Sequence, residues 1–354
     1  MEQSSLLKEL LEIAIDAGAS DLHITPDNYP ALRVAGNLIF LKKTRKISEE
    51  EASDFAFELM GKERKEAFLR DRQIDFSYDF KKNARFRVNA FFQERTVACT
   101  LRLISSKVPT IEQLKLPKIL HDFIRHPQGF ILVTGPSSQG KSTTLASMLN
   151  EISTTRSEHI ITIEDPIEYT LEENGSIINQ REVGRDAVGF KEALKASFRQ
   201  DPDVIMIGEM RDNETMATAI TAAETGHLVF ATLHTNSAFQ TIHRIVDSFP
   251  SDQQNQIRAQ LSGSLIAVIS QRLVPCLKGG LIPVCEIMIN TPATANLIRE
   301  NKIHEIPLVI ETSMESGMIS QNRSLANLIK AKEIDLDVAL NYSQNPNELR
   351  SMLS

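Results

Sequence analysis

Gly135-Pro136-Ser137-Ser138-Gln139-Gly140-Lys141-Ser142 fits the spacing G-x-x-x-x-G-K-[ST]. That pattern builds a loop whose backbone N–H groups cradle phosphate oxygens, aided by the positive end of the helix that follows. Lys141 would reach the β- and γ-phosphates, and the Ser142 hydroxyl would ligate Mg2+. The flanks have the required character. Gly129-Phe-Ile-Leu-Val-Thr134 is an apolar run that reads as a buried strand, and Thr143-Thr-Leu-Ala-Ser-Met-Leu-Asn150 reads as the helix leaving the loop. A glycine turn beside a surface lysine would match the string alone; a strand before it and a helix after it make it a nucleoside-triphosphate loop.

Such a loop names a ligand and not a task. Hydrolysis also needs a second acidic group on the metal and a group that orients the attacking water. Asp203-Val-Ile-Met-Ile-Gly-Glu209 is a buried strand delivering a carboxylate at its end, so Glu209 is the expected second Mg2+ ligand, in part through water. Ile163-Glu-Asp-Pro-Ile-Glu168 places three carboxylates within five residues just after another strand. Glu168 is the expected general base, with Glu164 and Asp165 as supporting acids. His227 and His234 flank the run Leu228–Leu233. A histidine at a strand end can donate to a γ-phosphate or relay its loss across a subunit boundary, although lone histidines are more often structural.

The elements that must position these groups follow from periodicity. Runs at 129–134, 160–164, 204–208 and 228–233 alternate with helical segments, which predicts an α/β fold with a mostly parallel sheet. Residues 1–104 differ: a helix at 3–17, strands at 21–25 and 31–35, a helix at 48–69, then alternating strands at 74–78, 84–89 and 96–103 in an antiparallel sheet. Turn chemistry at Ser105–Thr110 marks a linker taken as 105–115, and residues 116–354 form the nucleotide domain, helical from about 290. The net charge of -7 gives no blanket attraction to nucleic acid or anionic lipid. Three cysteines form no C-x-x-C pair and cannot supply a four-thiolate zinc site. No apolar run is long enough to span a bilayer and no signal peptide is evident, so a cytoplasmic protein without direct membrane insertion is expected.

Several further strings resemble the secretion-superfamily ATPases, and within them the type IV pilus retraction ATPases. They are Ala19-Ser-Asp-Leu-His23, Ala84-Arg-Phe-Arg-Val-Asn-Ala-Phe91, Asn179-Gln-Arg-Glu-Val-Gly184, Arg199-Gln-Asp-Pro-Asp203, Gly208-Glu-Met-Arg-Asp212 and Ala222-Ala-Glu-Thr-Gly-His-Leu228, with Asn296-Leu-Ile-Arg-Glu300 in the tail. The resemblance implies a PAS-like N-terminal α+β domain and a RecA-like P-loop NTPase domain, in a homo-hexamer with ATP and Mg2+ between subunits. It implies Glu168 as catalytic base, Glu209 as the metal-side acid, and His227 and His234 as residues of the family's histidine box. Arg87 and Arg102, fifteen positions apart, match the family's phosphate-contacting arginines. An inner-membrane platform protein and a second retraction ATPase are the implied partners, at the inner-membrane base of the pilus machine.

The chain departs from the family in places. The usual loop reads Gly-Pro-Thr-Gly-Ser-Gly-Lys, whereas Ser137, Ser138 and Gln139 stand here. If position 138 needs a left-handed backbone, serine costs about 1–2 kcal/mol there. Thr294-Ala295 precedes the tail motif in place of Ile-Arg, and the turn at Tyr29-Pro30 is altered, leaving room for an accessory retraction ATPase with weak hydrolysis. Assembly ATPases of the superfamily usually carry an extra N-terminal domain and often a cysteine-rich insertion, and this chain has neither. A nucleic-acid-translocating ring shares the P-loop logic, but no Trp and four Tyr offer few stacking surfaces.

Overall fold

The computed structural model describes residues 5–34, 36–81, 84–104 and 107–353, with Glu63 described by its backbone only. Residues 3 and 4 of the expected first helix, Ala35 of the second expected strand, and Ser105 and Ser106 of the expected linker lie outside the described residues. The chain forms two compact units. One runs through Lys107 and includes Pro166–Thr170; the other comprises Val108–Asp165 and the chain from Leu171 onward.

The N-terminal unit is built on β1 (Asp21–Ile24), β2 (Ala31–Val34), β3 (Asn37–Phe40), β4 (Gln73–Lys81), β5 (Ala84–Gln93) and β6 (Thr96–Ile104). Among the described residues these form one antiparallel sheet in the order β3-β2-β1-β6-β5-β4. Register sorts its two faces. Leu32, Leu22, Leu101, Val88 and Phe76 pair in one row and are all buried, packed with Leu7, Leu10 and Leu11 of helix Ser5–Asp16 and Phe55, Leu59 and Phe68 of helix Glu49–Asp71. The neighbouring row, one residue along each strand, is Arg33, Asp21, Arg102, Arg87 and Ser77. A period of two therefore puts the arginines on the face away from that core. Strand β3 was not foreseen: all its residues are exposed, so no apolar alternation announces it.

The second unit holds β7 (Gly129–Thr134), β8 (His159–Glu164), β9 (Ile177–Glu182), β10 (Val204–Ile207), β11 (Leu228–Leu233), β12 (Leu265–Pro275) and β13 (Leu281–Ile289). The order is β13-β12-β7-β11-β10-β8-β9, parallel throughout except for β13 against β12. The expected α/β architecture with a mostly parallel sheet is thus observed. Every residue of β7, β10 and β11 is buried, as in a parallel sheet covered on both faces. The helical tail, whose packing the sequence left open, covers the β12–β13 hairpin: Leu325, Ala326, Ala339 and Leu349 meet Val274, Ile282 and Val284.

Candidate nucleotide site

Strand β7 ends at Thr134 and the chain turns at once. Gly135 has φ +149°, and a Cβ there would stand 2.3 Å from the Gln271 carbonyl oxygen, so only glycine lets the loop pass β12. Ser138 lies at φ +60° and Gly140 at +78°. The left-handed condition at position 138 is therefore met, at the expected cost of about 1–2 kcal/mol for a residue with a Cβ. Helix Lys141–Thr155 begins directly after Gly140. The Lys141 side chain is buried and folds along the loop, donating from Nζ to the carbonyls of Gly135 and Pro136, each at 2.8 Å.

Lys141 Nζ also lies 3.4 Å from His234 Nδ1, and across the same ring Nε2 is 3.1 Å from Glu209 Oε1. An ammonium can only donate, so this pairing assigns Nδ1 as acceptor and Nε2–H as donor to the carboxylate. One imidazole spans the P-loop cation and the acid that follows β10. Register explains the convergence. Thr134 pairs with Leu233 across β7 and β11, and Ile207 with Ala231 across β10 and β11, so three loops leave one carboxyl edge together. That edge is where open α/β sheets take ligands. Below it, the hydroxyls of Thr235 and Thr241 are 2.7 Å apart and those of Thr134 and Ser270 2.9 Å, with 3.4 Å between Thr241 and Thr134. This line anchors the His234 segment to β7 and β12.

The remaining expected residues are dispersed. Glu164 closes β8, buried, its Oε1 accepting from Thr162 Oγ1 at 2.6 Å and Gln180 Nε2 at 3.1 Å. Glu168 is exposed and belongs to Pro166–Thr170, the segment that groups with the N-terminal unit. His227 does not join His234. It precedes β11 whereas His234 follows it, and six strand residues set them about 20 Å apart. Its Nδ1 faces the Ala222 carbonyl at 3.0 Å and its ring meets Phe198 edge-on at 5.6 Å, a structural setting within this chain. Arg87 and Arg102 are direct cross-strand partners. Arg87 Nη2 pairs with Asp75 Oδ2 at 2.6 Å, and Arg102 Nε with Asp21 Oδ1 at 2.9 Å. Burial pushes the Asp21 carboxyl up, but hydrogen bonds from Ser20 and Arg102 outweigh it and hold the group below its ordinary range.

Beside the P-loop, within the second unit, a cavity of about 400 Å³ opens among Gly140, Thr143, Thr144, Leu273, Cys276 and Ile282. The model of the type II/IV secretion system protein family matches residues 3–329. The chain belongs to that family. It is 44% identical over 323 residues to the type IV pilus retractation ATPase PilT of Pseudomonas aeruginosa, covering 91% of this chain and 94% of the relative. It is 40% identical over 347 residues to the type IV pilus ATPase PilU of the same organism, covering 98% and 91%. A crystal structure of the pilus retraction motor PilT with bound ADP superposes with a TM-score of 0.92 at 44% identity, covering 99% of this chain and 100% of that one. The architecture is accordingly that of a secretion-family ATPase, an N-terminal domain with a RecA-like domain.

Two side chains in contact with these groups were not foreseen. Arg211 Nη2 holds the second Glu209 oxygen at 2.9 Å, and the signal was available as an arginine two residues after the acid. Gln271, 3 % exposed on β12, accepts from Thr144 Oγ1 at 2.7 Å and donates to the Gln139 carbonyl at 2.7 Å. Nothing short of the strand pairing would have revealed it.

Proposed function

We propose that this chain hydrolyses ATP to ADP and phosphate, and that a ring of six copies couples the reaction to type IV pilus retraction. The observation that carries this reading is the Lys141–His234–Glu209 line at the carboxyl edge of the parallel sheet. The loop Gly135–Thr143 and Lys141 bind the β- and γ-phosphates, and the adjoining cavity, of a size suited to a small ligand, takes the base and ribose. The donor set fits a hard cation: Ser142 directly follows Lys141, and Glu209 is one imidazole away from it. Ser142 and Glu209 would hold Mg2+, Glu209 in part through water; when bound, the ion neutralises charge on the phosphate oxygens. Glu168 takes the proton of the attacking water, with Glu164 and Asp165 as supporting acids. Arg87 and Arg102 bring guanidinium charge to the phosphates, and His227 relays phosphate loss across a subunit boundary. Contacts to the γ-phosphate exist only before hydrolysis, so their loss biases a two-state domain equilibrium.

The names of the relatives support this reading, as does the likeness to a retraction motor that binds ADP. The ring acts from the cytoplasm at the inner-membrane base of the pilus machine, on a platform protein and alongside a second retraction ATPase. Among the described residues no helix is long and apolar enough to cross a membrane. The coverage of PilU and the left-handed Ser138 favour a second reading, an accessory retraction ATPase with weak hydrolysis. Deleting the gene and scoring surface pili tests the first: hyperpiliated cells that do not twitch support retraction, and bald cells contradict it. Phosphate release by wild type against Glu168→Gln separates the readings, since equal and negligible rates leave only the accessory one.

A further inference from the structure

The loop in this chain carries a serine where the backbone is left-handed, at φ +60°, yet its course is closely held. The holding comes from β12. Strand β7 makes its last pair with β12 at Thr134–Ser270, while β12 runs on to Pro275, so its backbone beyond Ser270 faces the loop. Gln139 reaches out to that backbone: its side-chain Oε1 accepts from Leu273 N at 2.8 Å. Gln271 reaches the other way, donating from Nε2 to the Gln139 carbonyl at 2.7 Å and accepting from Thr144 Oγ1 at 2.7 Å. The same residue sets the two glycines, since a Cβ at Gly135 would strike its carbonyl oxygen at 2.3 Å and one at Gly140 would press its Nε2 at 3.0 Å. Start, middle and end of the loop and the first turn of its helix are therefore all gauged against Gln271.

We propose that Gln139 and Gln271 form a clasp from β12 that fixes the phosphate-binding loop in shape, with Gln139 a positioning residue that offsets the strain at Ser138. A serine at position 139 could not span the distance to Leu273 that Gln139 bridges, and a glycine at 138 would have no strain to offset. Two of the loop's three departures, Ser138 and Gln139, are thus one device. It acts through shape: neither the Gln139 side chain nor Gln271 needs to touch a nucleotide. The proposal rests on the reading of this loop as a nucleotide site.

The test is equilibrium binding of a fluorescent ADP analogue, with steady-state phosphate release, for wild type, Gln139→Ser, Ser138→Gly and the double variant. Loss of the side-chain bond is expected to weaken binding about tenfold in Gln139→Ser, raising KM and leaving kcat within about twofold. In the double variant Ser138→Gly should recover most of that loss. Thermal melting checks that each variant is folded; position 139 lies in a surface loop, so folding is expected to survive. Wild-type affinity in Gln139→Ser, or effects of the two substitutions that simply add, would overturn the clasp while leaving the site intact. A wild-type protein that binds no analogue would overturn the site and the clasp together.

Discussion

In the parallel sheet the candidate site stands beyond strand ends: Glu209 and His234 lie in loops just past their strands, and Lys141 opens the helix that follows the loop after β7. In the antiparallel sheet Arg87 and Arg102 stand mid-strand, each one residue from a core side chain (Val88 and Leu101). A loop can change while its strand stays packed, so an end-of-strand site is set by sequence motifs and by strand order. A mid-strand site is set by register, because a slip of one residue would carry both arginines into the core. The two regions also differ in what their cations hold. Lys141 lies on loop carbonyls and a histidine, all rearrangeable, while each arginine is paired with a carboxylate on its own sheet.

The sharpest way to break this comparison is at Lys141. Lys141→Ala should weaken ATP binding and lower phosphate release by about a hundredfold or more, because the buried cation proposed to bind phosphate is removed. Isothermal titration with ATP, alongside a phosphate-release assay, reads both effects, and near-wild-type affinity would detach the loop from its function.

The two histidines sharpen it further. His234→Ala should lower kcat by about ten- to a hundredfold, since it uncouples Lys141 from Glu209. His227→Ala should leave kcat within about threefold in the isolated protein and lower the melting temperature instead, as its ring closes the end of helix Asn213–Glu224. Equal kinetic losses would show that both ends of β11 act in catalysis.

On the antiparallel sheet, Asp21→Asn should destabilise the N-terminal unit by about 1 kcal/mol at pH 7, as Arg102 loses a charged acceptor. The Asp21 carboxyl titrates lower in the fold than in the unfolded chain. Its contribution is therefore present above the unfolded value near 4 and is lost as the pH falls through the folded one. Urea denaturation of wild type and Asp21→Asn should diverge at pH 7 and converge progressively as the pH falls from about 4 through the folded value. A constant gap would mean that packing, not the ion pair, is what the substitution removes.

The smallest effect concerns thiols. Burial pushes Cys99 and Cys285 up to about 12, whereas Cys276 lines the cavity beside the loop. Maleimide at pH 8 should label Cys276 first, and ADP should slow that labelling several-fold. Mass spectrometry that finds Cys285 modified at the same rate would contradict the burial.

The parallel strands were legible because continuous apolar runs alternate with helices, and the P-loop fixed which end of them matters. The β12–β13 hairpin was not. Helix Gln254–Ser264 passes straight into β12 at Leu265, so the strand continues a helical stretch and only Ser262-Gly263-Ser264 marks the boundary. With that hairpin unseen, Gln271 and the anchorage of Gln139 were out of reach. Glu209 and His234 could be read as site residues, but the imidazole between lysine and acid needed strand order. Arg87 and Arg102 came from resemblance alone, since an arginine alternating with core residues reads as an ordinary exposed face. Glu168 could be picked from its acidic run, yet its grouping with the N-terminal unit depends on contacts that chain order does not reveal.

The central claim is that the acid beyond β10 serves the same reaction as the lysine beyond β7. Phosphate release and ATP affinity measured together for Glu209→Gln test it most directly. Binding within a few-fold of wild type, with turnover lowered about a hundredfold or more, is the expected result. Turnover equal to that of an active wild type would contradict it.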